Sequence, residues 1–125
     1  MRILLDTHFV LWWLADDLDL GERARELIAA PENLIFYSAA SIWEIRIKHA
    51  LGKLELPDEF ADALGRQAFE PLAVTVDHAH ALQDLPQLHR DPFDRLLIAQ
   101  ARCERLTILT RDGIIGQYDV ATVLA

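Results

Sequence analysis

Short, unbroken aliphatic runs separated by stretches with helical spacing constrain this chain more than any other feature. Arg2-Ile-Leu-Leu5, Leu34-Ile-Phe-Tyr37, Leu72–Val76 and Thr107-Ile-Leu-Thr110 read as strands, and Val120–Val123 is a candidate fifth. Strands that stay apolar instead of alternating are buried on both faces, which is the pattern of a parallel sheet. The intervening segments read as helices. They are Phe9–Leu14, Gly21–Ala30 closed by Pro31, Ser41–Leu51 with Gly52 behind it, Asp58–Gln67 opened by Pro57, Asp77 to about Leu85, and Asp91-Pro92 through Cys103. Proline just inside a helix start and glycine just past its end are the usual punctuation. Strands alternating with helices form βαβ units. The expected fold is therefore a three-layer α/β/α sandwich with a mostly parallel central sheet.

With 125 residues, 52% of them apolar, residues 1–125 read as a single domain with a sizeable core. Cys103 is the lone cysteine, so no disulfide can form within the chain. Phe9–Ala15 is the longest apolar run near the start, far short of the roughly 20 residues a membrane helix needs, and Asp6 and His8 interrupt any leader-like core. A cytoplasmic protein without membrane attachment is expected. The net charge of −8 excludes a domain that grips nucleic acid mainly through a basic surface, unless its acids are gathered where cations bind.

In open parallel sheets, ligands sit outside the carboxyl ends of the strands. Asp6 directly follows the first strand, and Asp112 lies two residues past the fourth. Glu44 and Asp94 fall in the first turns of the helices begun by Ser41 and Asp91-Pro92. Singly, each has a structural explanation. Asp6 can cap the next helix, Ser41-Ile-Trp-Glu44 spells a capping box, Asp94 suits a helix N-terminus, and Asp112-Gly113 is a turn pair. Together they create a problem. At about 5 Å, each like-charge pair costs roughly 3 kcal/mol at an effective dielectric near 20, against a net stability of about 5–15 kcal/mol for a domain. Raised carboxyl pKa values or a bound cation must relieve it. Oxygen ligands favour Mg2+ or Mn2+, and a carboxylate-held ion of this kind suits phosphoryl chemistry. The spacing of His8 and His89 fits no zinc motif, and neither is assigned a metal.

Four pieces of the chain resemble PIN domains, specifically VapC-like toxins of bacterial toxin–antitoxin pairs: Leu4-Leu-Asp-Thr-His8, Ser38-Ala-Ala-Ser-Ile-Trp-Glu-Ile45, His89-Arg-Asp-Pro-Phe-Asp-Arg-Leu-Leu-Ile-Ala-Gln-Ala101 and Leu109-Thr-Arg-Asp112. They occur in the family's order and span nearly the whole chain. The resemblance implies that Asp6, Glu44, Asp94 and Asp112 line a metal site, with Thr7 and Thr110 as auxiliary hydroxyls. It further implies endoribonuclease activity on an RNA substrate, a homodimer, and inhibition by a cognate antitoxin whose tail lies over the groove. Many members carry another acid or hydroxyl soon after the position of Asp112. Gly113-Ile-Ile-Gly116 offers none here, so a one-metal site is expected.

Arg95 and Arg46 are candidate RNA contacts, alongside Lys48, His49 and Lys53, although such charge runs also occur on ordinary solvated faces. Trp12, Trp13 and Trp43 read as core or dimer contacts, Cys103 as inert core, and His78 and His80 as surface helix residues. A signalling receiver needs paired acids after the first strand and a lysine near the last. Thr7 follows Asp6, and the lysines are Lys48 and Lys53, so the receiver reading fits poorly. A catalytically inactive acidic-pocket interaction or signalling module is the remaining alternative.

Overall fold

The computed structural model describes residues 1–125. Its five strands are β1 (Arg2–Leu5), β2 (Leu34–Ser38), β3 (Phe69–Leu72), β4 (Thr107–Thr110) and β5 (Thr122–Leu124). They form one sheet in the order β3-β2-β1-β4-β5, and every pairing is parallel. The helices are α1 (Thr7–Leu14), α2 (Glu22–Ala29), α3 (Ala39–Ala50), α4 (Phe60–Gly65), α5 (Val76–Ala81) and α6 (Pro92–Glu104). This is the expected three-layer parallel architecture. The strand order differs from the 2-1-3-4-5 order of receiver-type domains. No helix is long and apolar enough to cross a membrane.

The pleat of β1 divides the core. Ile3 and Leu5 face one side, where α1, α2, α3 and α4 contribute Phe9, Val10, Ala24, Ile28, Ile45, Phe60 and Leu64. Leu4 faces the other side with Ile108, against Leu97, Ile98 and Ala101 of α6. Ile3, Leu4, Leu5 and Ile108 are fully buried. Each such side chain contributes roughly 1.5–3 kcal/mol relative to exposure. Burial on both faces is what made these strands read as unbroken aliphatic runs.

Several boundaries differ from expectation, each for a local reason. The third strand is Phe69–Leu72, not Leu72–Val76. Its register pairs Ile35 with Phe69 and Ser38 with Leu72, and β2 ends at Ser38, so no ladder partner remains beyond that point. Pro71 is tolerated because β3 is an edge strand. The α3 helix begins at Ala39 and not near Ser41, because Ser38 caps it by accepting the Ala40 N–H at 3.0 Å. Glu44 therefore lies in the second turn, and Ser41-x-x-Glu44 is not a capping box. Thr75, not Asp77, caps α5. Its hydroxyl accepts the His78 N–H, while His78 Nδ1 accepts the Thr75 N–H. His78 is consequently buried at 1% exposure, where a surface position was expected, and Cys103 is exposed where core was expected.

The strand order reverses between β1 and β4. The switch point of such a sheet opens a crevice at its carboxyl edge. Asp6 and Asp112 sit there by chain position, at the ends of β1 and β4. Glu44 and Asp94 reach it from α3 and α6.

Candidate functional site

At this edge lies a cleft of about 280 Å³ lined by Asp6, Glu44, Asp94 and Asp112, together with Thr7, His8, Phe9, Lys48, Asp91 and Arg111. All four acids expected to meet do so. Phe9 is the single apolar lining residue.

The capping explanation for Asp6 does not hold, since its side chain makes no cap bond to α1. Its backbone N–H instead extends the β1–β4 ladder to the Leu109 carbonyl at 3.0 Å. Its Oδ2 accepts from the buried Thr110 hydroxyl at 2.7 Å. Thr110 Oγ1 in turn accepts the Asp112 N–H at 3.0 Å, so one hydroxyl orients two acids from adjacent strand ends. The Thr7 hydroxyl donates to Ser41 Oγ at 2.9 Å, tying α1 to α3 beside Glu44.

Glu44 is 5% exposed. Its Oε2 meets Lys48 Nζ at 3.0 Å, whereas Oε1 is buried with no partner. A buried carboxylate oxygen without a donor costs about 1–3 kcal/mol or more.

Asp94 is set by the start of α6. Asp91 caps that helix, its Oδ1 accepting the N–H groups of Phe93 and Asp94, with Pro92 at the first helical position. Asp94 Oδ2 then lies 3.1 Å, and Asp112 Oδ2 2.7 Å, from His89 Nε2. His89 arrives from the loop before α6. Nothing in its sequence spacing announced this position, because the contact to Asp112 spans 23 residues and depends on how the loop packs.

Burial and crowding shift the acids' proton affinities. Burial raises Asp94 to about 7, and the charges of Asp6 and Asp91 add to it. Burial also raises Asp6, outweighing the Thr110 hydrogen bond. Asp112 goes the other way. Its partial burial pushes upward, but the His89 and Ile114 hydrogen bonds outweigh it and hold the carboxyl below its usual range. An unpartnered buried oxygen on Glu44, two raised carboxyls and a donor set of hard oxygens fit a small divalent cation of the Mg2+ or Mn2+ type.

The two arginines read as candidate RNA contacts stand beyond the cleft. Arg95 lies outside the cleft, its guanidinium donating to the Pro86 carbonyl at 2.8 Å and the Tyr118 hydroxyl at 3.2 Å. Arg46 also lies outside it, stacked over the Phe60 ring at 5.4 Å. Arg111 lines the cleft but donates to the carbonyls of Asp19, Leu20 and Ala125 and packs on Trp12 at 4.8 Å. Gly21, at φ +81°, lies against that arm, where an added Cβ would sit 3.5 Å from Arg111 Nη2. Trp43 is 62% exposed and meets Phe93 edge-on.

Comparison with known proteins follows the same lines. A family model described as PIN domain matches residues 3–121. Ribonuclease VapC16 of Mycobacterium tuberculosis is 41% identical over 66 residues, covering 50% of this chain and 45% of that protein. A Micrococcus luteus protein named urease accessory protein UreE is 35% identical over 83 residues, covering 64% of this chain and 49% of that protein. The chain thus spans about half the length of the curated relatives it matches. The crystal structure of VapBC2 from Rickettsia felis, bound to a DNA fragment from their promoter, aligns with a TM-score of 0.75 at 16% identity. That alignment covers 99% of this chain and 98% of the other, and it shows a shared fold.

Proposed function

This chain belongs to the PIN domain family, and on that footing we propose that residues 1–125 form a single divalent-metal-dependent endoribonuclease domain, the toxin of a toxin–antitoxin pair. Its partners are an RNA substrate, a second copy of itself and a small cognate antitoxin protein, and it acts in the cytoplasm. The observation that carries this reading is the convergence of Asp6, Glu44, Asp94 and Asp112 on one cleft, with a buried Glu44 oxygen that has no protein partner.

The residues divide the work. Asp6, Glu44 and Asp94 are the residues that would hold the ion, and the Thr110 hydroxyl sets the rotamer of Asp6. Asp112 closes the rim of the cleft. A Mg2+ or Mn2+ ion held there would supply Lewis acidity toward a water and a phosphate oxygen. Lys48, whose side chain is 44% exposed, is the basic group placed to meet a phosphate oxygen beside Glu44. An acidic protein can thereby work on a polyanion, since the bound ion inverts the local field.

The test is Asp94→Asn, which removes a ligand charge at constant volume. Mg2+-dependent cleavage of total cellular RNA is expected to disappear while the circular-dichroism spectrum stays unchanged. Full cleavage by the variant at unaltered metal affinity would remove Asp94 from the site.

A further inference from the structure

His89 lies behind the cleft wall, where its Nε2 reaches two of the lining acids, Asp94 and Asp112, and its hydrogen bonds determine what it can do there. Nδ1 accepts the Asp91 N–H at 3.1 Å. A ring nitrogen that accepts carries no proton, so the proton is on Nε2, facing Asp112 Oδ2 at 2.7 Å and Asp94 Oδ2 at 3.1 Å. The backbone around the ring is anchored. The Leu88 and His89 N–H groups donate to the Tyr118 hydroxyl at 3.2 and 2.7 Å, and Arg95 grips the same hydroxyl. Asp112 Oδ1 accepts the Ile114 N–H at 2.9 Å, so both Asp112 oxygens are committed to donors within the protein. Glu44 Oε1 is buried and bare.

We propose that His89 is a positioning residue: its Nε2–H clasps Asp94 to Asp112 and fills the place a second cation would take. The cleft then accepts one divalent ion, on Asp6, Glu44 and Asp94. This rests on the reading of the cleft as a cation site.

The nearest alternative makes His89 itself a ligand. The ligand atoms of His89, Asp94 and Asp112 do lie within 4.8 Å of one another, and neighbouring ligands on an ion with bonds of about 2.1 Å sit about 3 Å apart. Coordination through Nε2 would move the proton to Nδ1, where it would face the Asp91 N–H donor. That loses a hydrogen bond and sets two donors against each other.

The experiment titrates the intact protein with Mn2+ under electron paramagnetic resonance and records the imidazole nitrogens of the metal-free protein by 15N NMR. The wild type is expected to show the Nε2–H tautomer, to bind about one Mn2+ per chain, and to give no nitrogen hyperfine coupling from a coordinated imidazole. His89→Ala is expected to bind about two, with a spin-coupled signal. His89→Gln, whose amide also donates, is expected to return to one. A Nδ1–H tautomer or a nitrogen coupling in the wild type overturns the proposal without needing any variant to fold. A single Mn2+ in a folded His89→Ala also overturns it, while leaving the nuclease reading intact. A wild type that binds no Mn2+ removes the cation site itself.

Discussion

Asp94 bears the heaviest consequence of the crowding at the cleft. Its carboxyl, ordinarily near 3.8, is held at about 7 by burial and by the neighbouring Asp6 and Asp91. Between those values the folded chain keeps a proton that the unfolded chain has lost. The stability linked to this group is therefore fully present below about pH 4 and declines as the pH rises through 7. Thermal melts in EDTA are expected to show a lower melting temperature at pH 8 than at pH 5, and Asp94→Asn should flatten that dependence. The same proton has to leave when a cation binds. Calorimetry in two buffers of different ionisation enthalpy is expected to find close to one proton released per ion near pH 6 and almost none near pH 8. A pH-independent release would place the proton elsewhere. Asp6 is raised for the same principal reason, burial. Asp6→Asn keeps the volume and an acceptor for the Thr110 hydroxyl. The metal-free variant should melt higher than the wild type, and a lower melting temperature would contradict the idea that repulsion is stored there.

At the scale of elements, the position of Glu44 depends on where α3 begins, and a buried polar chain fixes that. The Ser38 hydroxyl accepts the Ala40 N–H and donates to Gln100 Oε1 at 2.6 Å. Gln100, fully buried in α6, donates to the Ala73 carbonyl at 3.3 Å beyond the end of β3. One amide therefore joins the carboxyl ends of β2 and β3 to the helix that carries Asp94. Gln100→Leu leaves Ser38 and the Ala73 carbonyl without their partner, and should cost about 1–3 kcal/mol in urea unfolding. Ser38→Ala should cost about 1–2 kcal/mol through the lost cap. Either change should also weaken Mg2+ binding, because α3 is no longer pinned with Glu44 in the cleft. Unchanged metal affinity alongside the lost stability would make this chain purely structural.

At the scale of the whole molecule, the net charge of −8 and the acid cleft make folding and cation binding one linked process. A ligand that binds only the folded state adds about 2.7 kcal/mol at 100 times its Kd. For a domain of this size that is roughly 8–10 °C. Mg2+ or Mn2+ at that excess is expected to raise the melting temperature by this amount, and Asp94→Asn should abolish most of the rise. An equal rise in the variant would reduce the effect to general screening of negative charge. The sheet is the rigid part of this arrangement. Its strand order opens the crevice between β1 and β4, and α3 and α6 aim their acids into it.

Much of this was readable in the chain before any fold was known. Arg2–Leu5 and Thr107–Thr110 are apolar throughout because both faces of their strands are covered, so the parallel sheet is written in local composition. Asp6 and Asp112 follow those strands directly, which put them at the carboxyl edge by chain position alone. Asp91-Pro92 marked the start of α6, since capping is a contact between near neighbours. Other features depended on contacts between segments far apart. Ser38 rather than Ser41 begins α3 because Gln100, 62 residues away, holds its hydroxyl. His78 meets Glu104 of another helix at 2.8 Å, a contact 26 residues away along the chain. Arg95 grips Tyr118 and the loop that delivers His89, a contact its spacing does not show. His89 opens the stretch through Ala101 that carries the family resemblance, but nothing in its spacing says which acids it meets. Its role follows from a backbone N–H at Asp91 that selects its tautomer and from a strand end that brings Asp112 within reach, and neither exists until the chain has folded.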